Sequence, residues 1–308
     1  MIEVHKLRKE YDGTVAIANM HLEIPEGEVF GLIGPNGAGK TTLIRILATL
    51  MEPTYGQVRI DGIDVVEDPL RVHPLIGYMS DFFSLYEDLL VWEYLDHFAR
   101  CYGIRPVERQ HMIRDVLELV NLEVRRDSEV KALSRGMRQR LCFAKTLLHQ
   151  PKVLLLDEPA SGLDPAGRLE FRELVKKLKE MGRTILISSH ILTEMTEFCT
   201  SIGILEQGQL VSSGRVDDIL ASMQAGLRLE VETIDQSPCL VELLSSDPMV
   251  RQLVTANGRV SCRFLGSREQ LPEMHRRIVA AGIPIVSFAV RTDNLEDIYM
   301  KISGHRTS

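Results

Sequence analysis

The chain has 308 residues, a net charge of −7 and an ordinary hydrophobic fraction of 44%. This length fits one large globular domain with a small one, or two medium ones. The negative charge gives no indication of a nucleic-acid partner. Five scattered cysteines lack metal-ligand spacing and are typical of reduced thiols in a cytosolic protein.

No targeting or membrane-spanning segment is predicted. The N-terminus carries acidic and polar residues rather than a signal peptide, and no run approaches ~18 apolar residues. Residues 223–308 contain ten basic and ten acidic residues, so the whole negative excess lies in residues 1–222. We therefore expect a cytoplasmic protein for which any membrane role comes through a partner.

A phosphate-binding loop follows the first predicted strands. Ile2 begins one alternating strand, residues 15–24 form another, and apolar residues 29–33 form a buried third. The next eight residues match G-x-x-x-x-G-K-T and a second threonine follows them: Gly34, Pro35, Asn36, Gly37, Ala38, Gly39, Lys40, Thr41 and then Thr42. Apolar side chains at helical spacing then predict a helix: Leu43, Ile46, Leu47 and Leu50.

Strand, glycine loop and helix together are the context that a phosphate site requires. Glycines let backbone N–H groups approach phosphate oxygens, and the positive end of the helix adds attraction. We expect Lys40 to reach the β- and γ-phosphates and the Thr41 hydroxyl to bind Mg²⁺. A glycine-rich turn without a ligand is the simpler alternative, and the complete motif with both flanks disfavours it.

Residues 153–156 are all apolar and predict a buried strand, and a second motif comes directly after them. Asp157 and Glu158 follow that strand directly, at the end where ligands bind in open α/β sheets. Asp157 is expected to hold Mg²⁺, and Glu158 to orient or deprotonate an attacking water. Strands also end in acids that cap a following helix, an alternative that is weaker downstream of a complete phosphate loop.

Three more motifs indicate which kind of nucleotide hydrolase the sequence encodes. Leu133-Ser134-Arg135-Gly136-Met137 precedes Asp157, Ser161-Gly162-Leu163-Asp164 follows Glu158, and Ser188-Ser189-His190 follows a strand predicted at 184–187. With these motifs the sequence resembles the ATP-binding subunit of an ABC transporter over residues 1–222. The resemblance implies an α/β P-loop NTPase fold of the ABC type with a helical subdomain.

The resemblance implies a nucleotide role for each matching position. Tyr11, a lone aromatic that by itself indicates packing more often than ligand binding, corresponds to the aromatic that stacks on adenine. Residues 34–42 correspond to the Walker A loop that holds ATP. Asp157 and Glu158 correspond to the Walker B acid and the catalytic carboxylate, and His190 to the switch histidine near the γ-phosphate.

A second chain is also implied. Ser134 and the Gly136 N–H open a helix and form a second anion-binding helix N-terminus. Because one chain then offers two phosphate-binding surfaces for one nucleotide type, the ligand is expected to join two chains. The resemblance implies a homodimer closed around ATP and Mg²⁺, with Asp164 in the D-loop between subunits. It also implies a transmembrane permease subunit as partner, at the cytoplasmic face of the cell membrane.

Three positions depart from the family pattern. The signature has Arg135 where the family prefers Gly, and Met137 where it prefers Gln. Ser134 and Gly136 remain, so we expect the phosphate contact to remain. Asp81 replaces the usual glutamine after a strand predicted at 75–78, and its carboxylate can still bind Mg²⁺. Two effects of Asp81 stay open: tighter metal binding, and altered signalling of the ATP state to the partner.

Residues 82–102 are rich in aromatic side chains: Phe82, Phe83, Tyr86, Trp92, Tyr94, Phe98 and Tyr102. Leu95, Phe98 and Tyr102 share one predicted helical face. The core of the helical subdomain is the simplest interpretation. A hydrophobic docking surface is the alternative, and the resemblance implies that this region receives the membrane subunit.

Residues 223–308 predict a small α+β domain. Strands near 227–231, 250–255, 259–264 and 283–290, with helices near 240–244 and 271–278, follow the order βαββαβ of a ferredoxin-like fold. Asn257-Gly258 indicates a hairpin, and a terminal helix is predicted to carry Leu295, Ile298, Tyr299 and Ile302. Because no cluster of acid, His or Cys residues occurs, we interpret this domain as a regulatory or dimer-supporting appendage.

The sequence thus predicts an ATPase that energises a separate permease, with Lys40, Glu158 and His190 as its catalytic groups. Residues 295–299 resemble the C-terminal segment of ABC-2 type drug- and polysaccharide-exporter subunits, which favours export. Two alternatives stay open: a soluble ABC ATPase without a transport role, and a non-catalytic ATP-binding regulator, which the altered signature and Asp81 would fit.

Overall fold

The structure, a computed structural model, describes residues 1–81, 84–223, 227–234, 238–256 and 259–291. The chain divides into two compact units, Met1–Val216 and Asp217–Ser308. The functional domain limits 1–222 and 223–308 stay a prediction. In the described part of the chain, no helix is both long and apolar enough to cross a membrane.

The first unit combines two sheets with a set of helices. Its strands are β1 Ile2–Tyr11, β2 Thr14–Ile24, β3 Val29–Ile33, β4 Tyr55–Ile60, β5 Ile63–Asp64, β6 Ile76–Met79, β7 Val153–Leu156, β8 Thr184–Ser189, β9 Ser201–Glu206 and β10 Gln209–Arg215. Its helices are α1 Lys40–Leu47, α2 Pro69–Val72, α3 Val91–Cys101, α4 Pro106–Leu119, α5 Arg135–Leu147, α6 Pro165–Glu180 and α7 Leu192–Met195. Helix α8 Val216–Met223 begins at Val216, the last residue of this unit.

The larger sheet has the order β10-β9-β3-β8-β7-β6 and is parallel except for β10. Strands β3, β7 and β8 are buried at every residue, as expected for parallel strands that are covered on both faces. The smaller sheet is antiparallel, in the order β2-β1-β4-β5. One apolar cluster joins both sheets to α1 through side chains such as Val4, Leu43 and Leu155. The predicted α/β fold is confirmed.

Helix α1 ends one turn earlier than its apolar spacing predicts. Leu43, Ile46 and Leu47 are fully buried, but Leu50 is 62% exposed and lies beyond the helix. Thr49 has a left-handed backbone with a φ of 59°, and the Leu50 N–H returns to the Arg45 carbonyl at 2.9 Å. This is a left-handed helix termination, so the prediction that Leu50 belongs to the helical face was wrong.

The aromatic stretch contributes both core and surface. Tyr94 and Leu95 of α3 are buried, and the Tyr94 and Phe98 rings lie 5.0 Å apart. Tyr86 and Tyr102 are 56% and 44% exposed. Phe82 and Phe83 lie outside the described residues. Core packing therefore accounts for part of the aromatic content and leaves two tyrosines on the surface.

The second unit has the predicted ferredoxin-like order. Its elements are β11 Leu227–Thr233, α9 Pro238–Ser245, β12 Val250–Ala256, β13 Arg259–Phe264, α10 Leu271–Ala280 and β14 Ile285–Arg291. The sheet is antiparallel throughout, in the order β12-β13-β11-β14, and one apolar cluster joins it to both helices. The predicted turn at 257–258 and the predicted helix over 295–302 lie outside the described residues.

The five cysteines are free thiols in two classes of exposure. Cys142, Cys199 and Cys262 are buried, whereas Cys101 and Cys239 are exposed. Burial raises the pKa of Cys142 and of Cys262 to about 11, and it raises the pKa of Cys199 as well. Since the thiolate is the reactive form, both burial and pKa protect these three thiols.

We predict that a disulfide reagent such as Ellman's reagent at pH 8 labels two thiols rapidly in the folded protein and all five after unfolding. Absorbance counting of released thiolate measures both numbers. The double variant Cys101→Ser/Cys239→Ser should lose the rapid phase. A third rapid thiol in the native chain would contradict the burial of one of the other three.

Candidate functional site

The candidate site lies at the carboxyl end of the parallel sheet. The glycine loop follows β3, His190 follows β8, and the two acids follow β7, and these three strands are direct neighbours. The register places Ser189 beside Ile33 and Ile187 beside Leu156, so the three strands end at nearly the same level. This is the edge at which open α/β sheets bind ligands.

The glycine loop closes tightly before α1. Gly39 is the N-cap of α1 and has a φ of 109°, a conformation that other residues rarely adopt. A Cβ at Gly39 would lie 2.5 Å from the Ala16 carbonyl oxygen, so a side chain is excluded here by space as well as by backbone. Pro35, Asn36 and Gly37 are exposed, which leaves the outer part of the loop accessible.

Lys40 is buried with its charge compensated. The residue is only 5% exposed, and its ammonium donates to the Gly34 carbonyl at 2.6 Å and to the Pro35 carbonyl at 3.2 Å. Its Nζ also lies 3.3 Å from Oε1 of Glu158. Because an unpaired buried cation is very unfavourable, these oxygens fix where the ammonium lies.

Glu158 has a strained backbone, and its carboxylate lies between the Lys40 ammonium and the His190 ring. Its φ is 48°, in the left-handed region. Its Oε2 lies 2.9 Å from Nδ1 of His190. Its Oε1 is buried and makes no hydrogen bond of acceptable geometry, although the Lys40 ammonium is 3.3 Å away. Strained backbone and an unsatisfied buried oxygen are typical of a functional carboxylate.

Ser188 connects the two acids, and sequence reasoning gave it no role. Its hydroxyl donates to Oδ1 of Asp157 at 2.6 Å and accepts from the Glu158 N–H at 2.9 Å. Asp157 is only 1% exposed, so its buried carboxylate needs a hydrogen-bond donor, and the Ser188 hydroxyl provides one. The pairing of β7 with β8 creates the contact. The serine stands two residues before His190 in the sequence, which is the one local signal that could have suggested it.

Asp81 and Thr41 supply further oxygen donors. Asp81 follows β6 and is exposed, yet partial burial and then the nearby carboxylates of Asp157 and Glu158 raise the pKa of Asp81. This electrostatic coupling places Asp81 near the two acids. Thr41 is half-buried in the first turn of α1. Hydroxyl and carboxylate oxygens are ligands that suit Mg²⁺.

Tyr11 lies at the end of β1, beside the start of α1. The residue is 40% exposed, and its hydroxyl lies 3.5 Å from Oγ1 of Thr42 and 2.8 Å from Sδ of Met51. The Lys9 ammonium lies 5.3 Å from the centre of its ring. The ring is therefore positioned next to the glycine loop with part of its surface accessible.

The signature residues form a separate group at the N-terminus of α5. Ser134 is the N-cap and its hydroxyl accepts from the Met137 N–H at 3.3 Å, while Gly136 lies in the first turn. Within the part of the chain that the structure describes, no hydrogen bond or ion pair joins Ser134 or Gly136 to Lys40 or Glu158. Among the described residues, the two predicted phosphate-binding groups are therefore not joined by a direct contact of either kind.

Comparison with known proteins identifies the family. Residues 17–161 match the ABC transporter family. The uncharacterized ABC transporter ATP-binding protein YhcH of Bacillus subtilis (strain 168) is 35% identical over 99% of this chain and 96% of its own length. The chain belongs to the ABC transporter ATP-binding proteins.

Other similar proteins extend the comparison. The Nod factor export ATP-binding protein I of Cupriavidus pinatubonensis (strain JMP 134 / LMG 1197) is 31% identical over 99% of this chain and 91% of its own length. A solved ATP-binding subunit of an ABC transporter is 32% identical, with a TM-score of 0.65 over 72% of this chain and 92% of its own. The dimeric cassette MJ0796, bound to ADP and Pi after hydrolysis, is 27% identical, with a TM-score of 0.63 over 70% of this chain and 99% of its own. The chain is an ATP-binding subunit of a transporter and an ABC ATPase.

We predict that Ser188→Ala lowers the free energy of unfolding of this ABC subunit by about 1–3 kcal/mol, because it leaves the buried Asp157 Oδ1 without its donor. Urea unfolding monitored by circular dichroism measures the change. Ser213→Ala, an exposed position on β10, is the control and should change the same quantity by less than about 0.5 kcal/mol. Equal effects of the two substitutions would contradict a role for Ser188 in holding the acids.

Proposed function

We propose that Lys40, Glu158 and His190 form the hydrolytic centre of this ATPase and that hydrolysis drives a separate membrane subunit in export. The observation that carries the proposal is the position of Glu158, 3.3 Å from the Lys40 ammonium and 2.9 Å from the His190 ring. A phosphate-binding cation, a general base and a third polar group are thereby held at one sheet edge.

The contacts of Lys40 explain how a nucleotide enters such a site. The ammonium is satisfied by two loop carbonyls and by Glu158. Phosphate oxygens of ATP offer it stronger charge-assisted hydrogen bonds than neutral carbonyls do. Movement of the ammonium toward the β- and γ-phosphates would leave Glu158 free to accept a proton from the attacking water. Lys40 and the loop N–H groups would stabilise the charge that develops in the transition state.

Mg²⁺ fits the donors that the site presents. Thr41, Asp157 and Asp81 would hold it, and when bound it neutralises phosphate charge during transfer. His190 would report on the γ-phosphate, because its ring is half-exposed and contacts the base directly through Nδ1. Tyr11 would stack on adenine, because its partly accessible ring lies beside Thr42.

A homodimer would complete the nucleotide site. Ser134 is the exposed N-cap of α5 and Gly136 lies in its first turn, and among the described residues no hydrogen bond or ion pair joins either of them to Lys40. A second chain could supply this N-terminus to the γ-phosphate, so that ATP would join the two chains and hydrolysis would release them. The dimeric structure of MJ0796 with ADP and Pi supports this arrangement by similarity.

Export through a membrane partner is proposed from similarity over the full length. The relatives named Nod factor export ATP-binding protein I match 99% of this chain. A partner at the cytoplasmic face of the membrane would supply the translocation path. The exposed tyrosines of the aromatic stretch, Tyr86 and Tyr102, offer it apolar contact area that the helical core does not use.

We predict that Glu158→Gln slows ATP hydrolysis by about 10²–10⁴-fold, because the general base is lost, while ATP binding and an ATP-dependent dimer persist. Phosphate release and light scattering with ATP and Mg²⁺ measure the two properties. Glu180→Gln, at the exposed end of α6, is the matched control and should retain hydrolysis. Rapid turnover of the Glu158 variant without a stable dimer would contradict the assignment.

Coupling to transport is tested by measuring ATP hydrolysis of the purified chain alone and with membrane proteins co-purified from its source. A severalfold rise on addition of one membrane protein is expected, and it would identify the partner. Hydrolysis that no membrane fraction changes would instead support a soluble ABC ATPase. Tight ATP binding without hydrolysis under either condition would support a non-catalytic regulator.

A further inference from the structure

A cavity of about 360 Å³ lies between α5 and α6, and its walls include neither Lys40 nor Glu158. Helix α5 contributes Arg135, Gln139 and Phe143, which lie on one helical face at successive four-residue steps. Helix α6 contributes Phe171 and Leu174. This volume lies within the range of about 300–1,000 Å³ that is typical of small-molecule sites.

The middle of the cavity contains a buried amide without a partner. Gln139 is only 6% exposed and lines the cavity. Within the described ranges of the chain, no hydrogen bond or ion pair engages its side chain. A largely buried glutamine that borders a cavity and has no partner in the chain has its amide available for a polar group of a ligand.

The mouth of the cavity is lined by two exposed side chains of opposite charge, Arg135 and Asp164. The Arg135 guanidinium lies directly over Gly162, whose φ is 72° and whose missing Cβ leaves room for it. Among the described residues, no side chain forms an ion pair with Arg135. By contrast, Arg140 pairs with Glu170 at 2.9 Å. The Asp164 carboxylate already accepts from the Gly167 N–H at 2.8 Å, so the guanidinium is the group that remains for a ligand, and an anionic group suits it.

The floor of the cavity is apolar and aromatic. The rings of Phe143 and Phe171 meet edge to face, with centroids 5.8 Å apart and an interplanar angle of 88°. Leu174 is 7% exposed and completes the surface. A flat aromatic or branched aliphatic body fits this end, because it would bury apolar area against both rings.

We propose that this cavity binds a small amphipathic carboxylate, with its carboxylate on Arg135, a polar contact to Gln139 and its apolar body on the two phenylalanines. The mouth also touches Ser134 and Asp164, the N-caps of α5 and α6. A bound molecule would fix the spacing of these two helix N-termini and so change the rate of ATP hydrolysis. This regulatory part rests on the proposed function, whereas the binding site does not.

The test titrates the full-length protein with 1-naphthylacetate by isothermal titration calorimetry, with and without saturating ATP. We expect saturable binding at one site without ATP, and weaker binding with ATP, because the proposed dimer would cover Ser134 at the mouth. The uncharged analogue 2-(1-naphthyl)ethanol should bind at least tenfold more weakly, because it lacks the carboxylate. Arg135→Gln and Gln139→Leu should each weaken binding of the carboxylate at least fivefold. Arg138→Gln is the control, because Arg138 neighbours both residues but pairs with Glu87 outside the cavity and should leave binding unchanged.

Two results would overturn the site: no saturable binding without ATP, or binding that Arg135→Gln and Gln139→Leu both leave unchanged. For the regulatory part, saturating probe should change the rate of ATP hydrolysis at least twofold, and confirmed binding with an unchanged rate would overturn it. A protein that binds the probe but does not hydrolyse ATP at all would contradict the proposed function and leave the site intact.

Discussion

The burial of the Lys40 ammonium is the constraint on which the nucleotide site depends. A cation that is only 5% exposed must find several oxygen partners, and the loop carbonyls of Gly34 and Pro35 together with Glu158 provide them. The loop consequently folds over the ammonium, and Glu158 is drawn toward it. These partners are replaceable, because phosphate oxygens offer the same cation stronger contacts. When a nucleotide binds, the Lys40 ammonium can therefore exchange protein oxygens for phosphate oxygens and stay paired throughout.

The parallel register holds the acids that surround this cation. Ser188 on β8 donates to Asp157 and accepts from the Glu158 backbone, so one strand fixes two consecutive acids of its neighbour. A shift of one residue between β7 and β8 would turn the serine to the opposite face and remove both bonds. The continuous burial of these strands opposes such a shift, since every side chain contributes to the core. Packing of the sheet thus determines the geometry of the proposed chemistry.

Local patterns in the sequence predicted the features that depend on local spacing. Helix α1 buries Leu43, Ile46 and Leu47 as their helical spacing indicates, and the small unit has the predicted βαββαβ order. Leu50 was predicted wrongly because the left-handed Thr49 backbone, rather than side-chain periodicity, ends α1. The role of Ser188 and the cavity beside Gln139 were missed for another reason, since each depends on contacts between distant segments. The roles proposed for Lys40, Glu158, His190 and the signature remain predictions, and Glu158→Gln tests the role of Glu158.

The signature lies at the helix N-terminus that the proposed dimer would use. In the single chain, the Ser134 hydroxyl already caps α5, but through a long 3.3 Å contact at an exposed helix end. A γ-phosphate supplied by a second chain would need little rearrangement there, since the first N–H groups of a helix have no intrahelical partners. Arg135 introduces a positive charge beside this N-terminus, where the related signatures have glycine, and its contact with Gly162 directs that charge toward the loop before α6. The same helix end can therefore present backbone donors to a nucleotide and a guanidinium to the cavity behind it. Occupation of one of these two surfaces would then change the helix that forms the other.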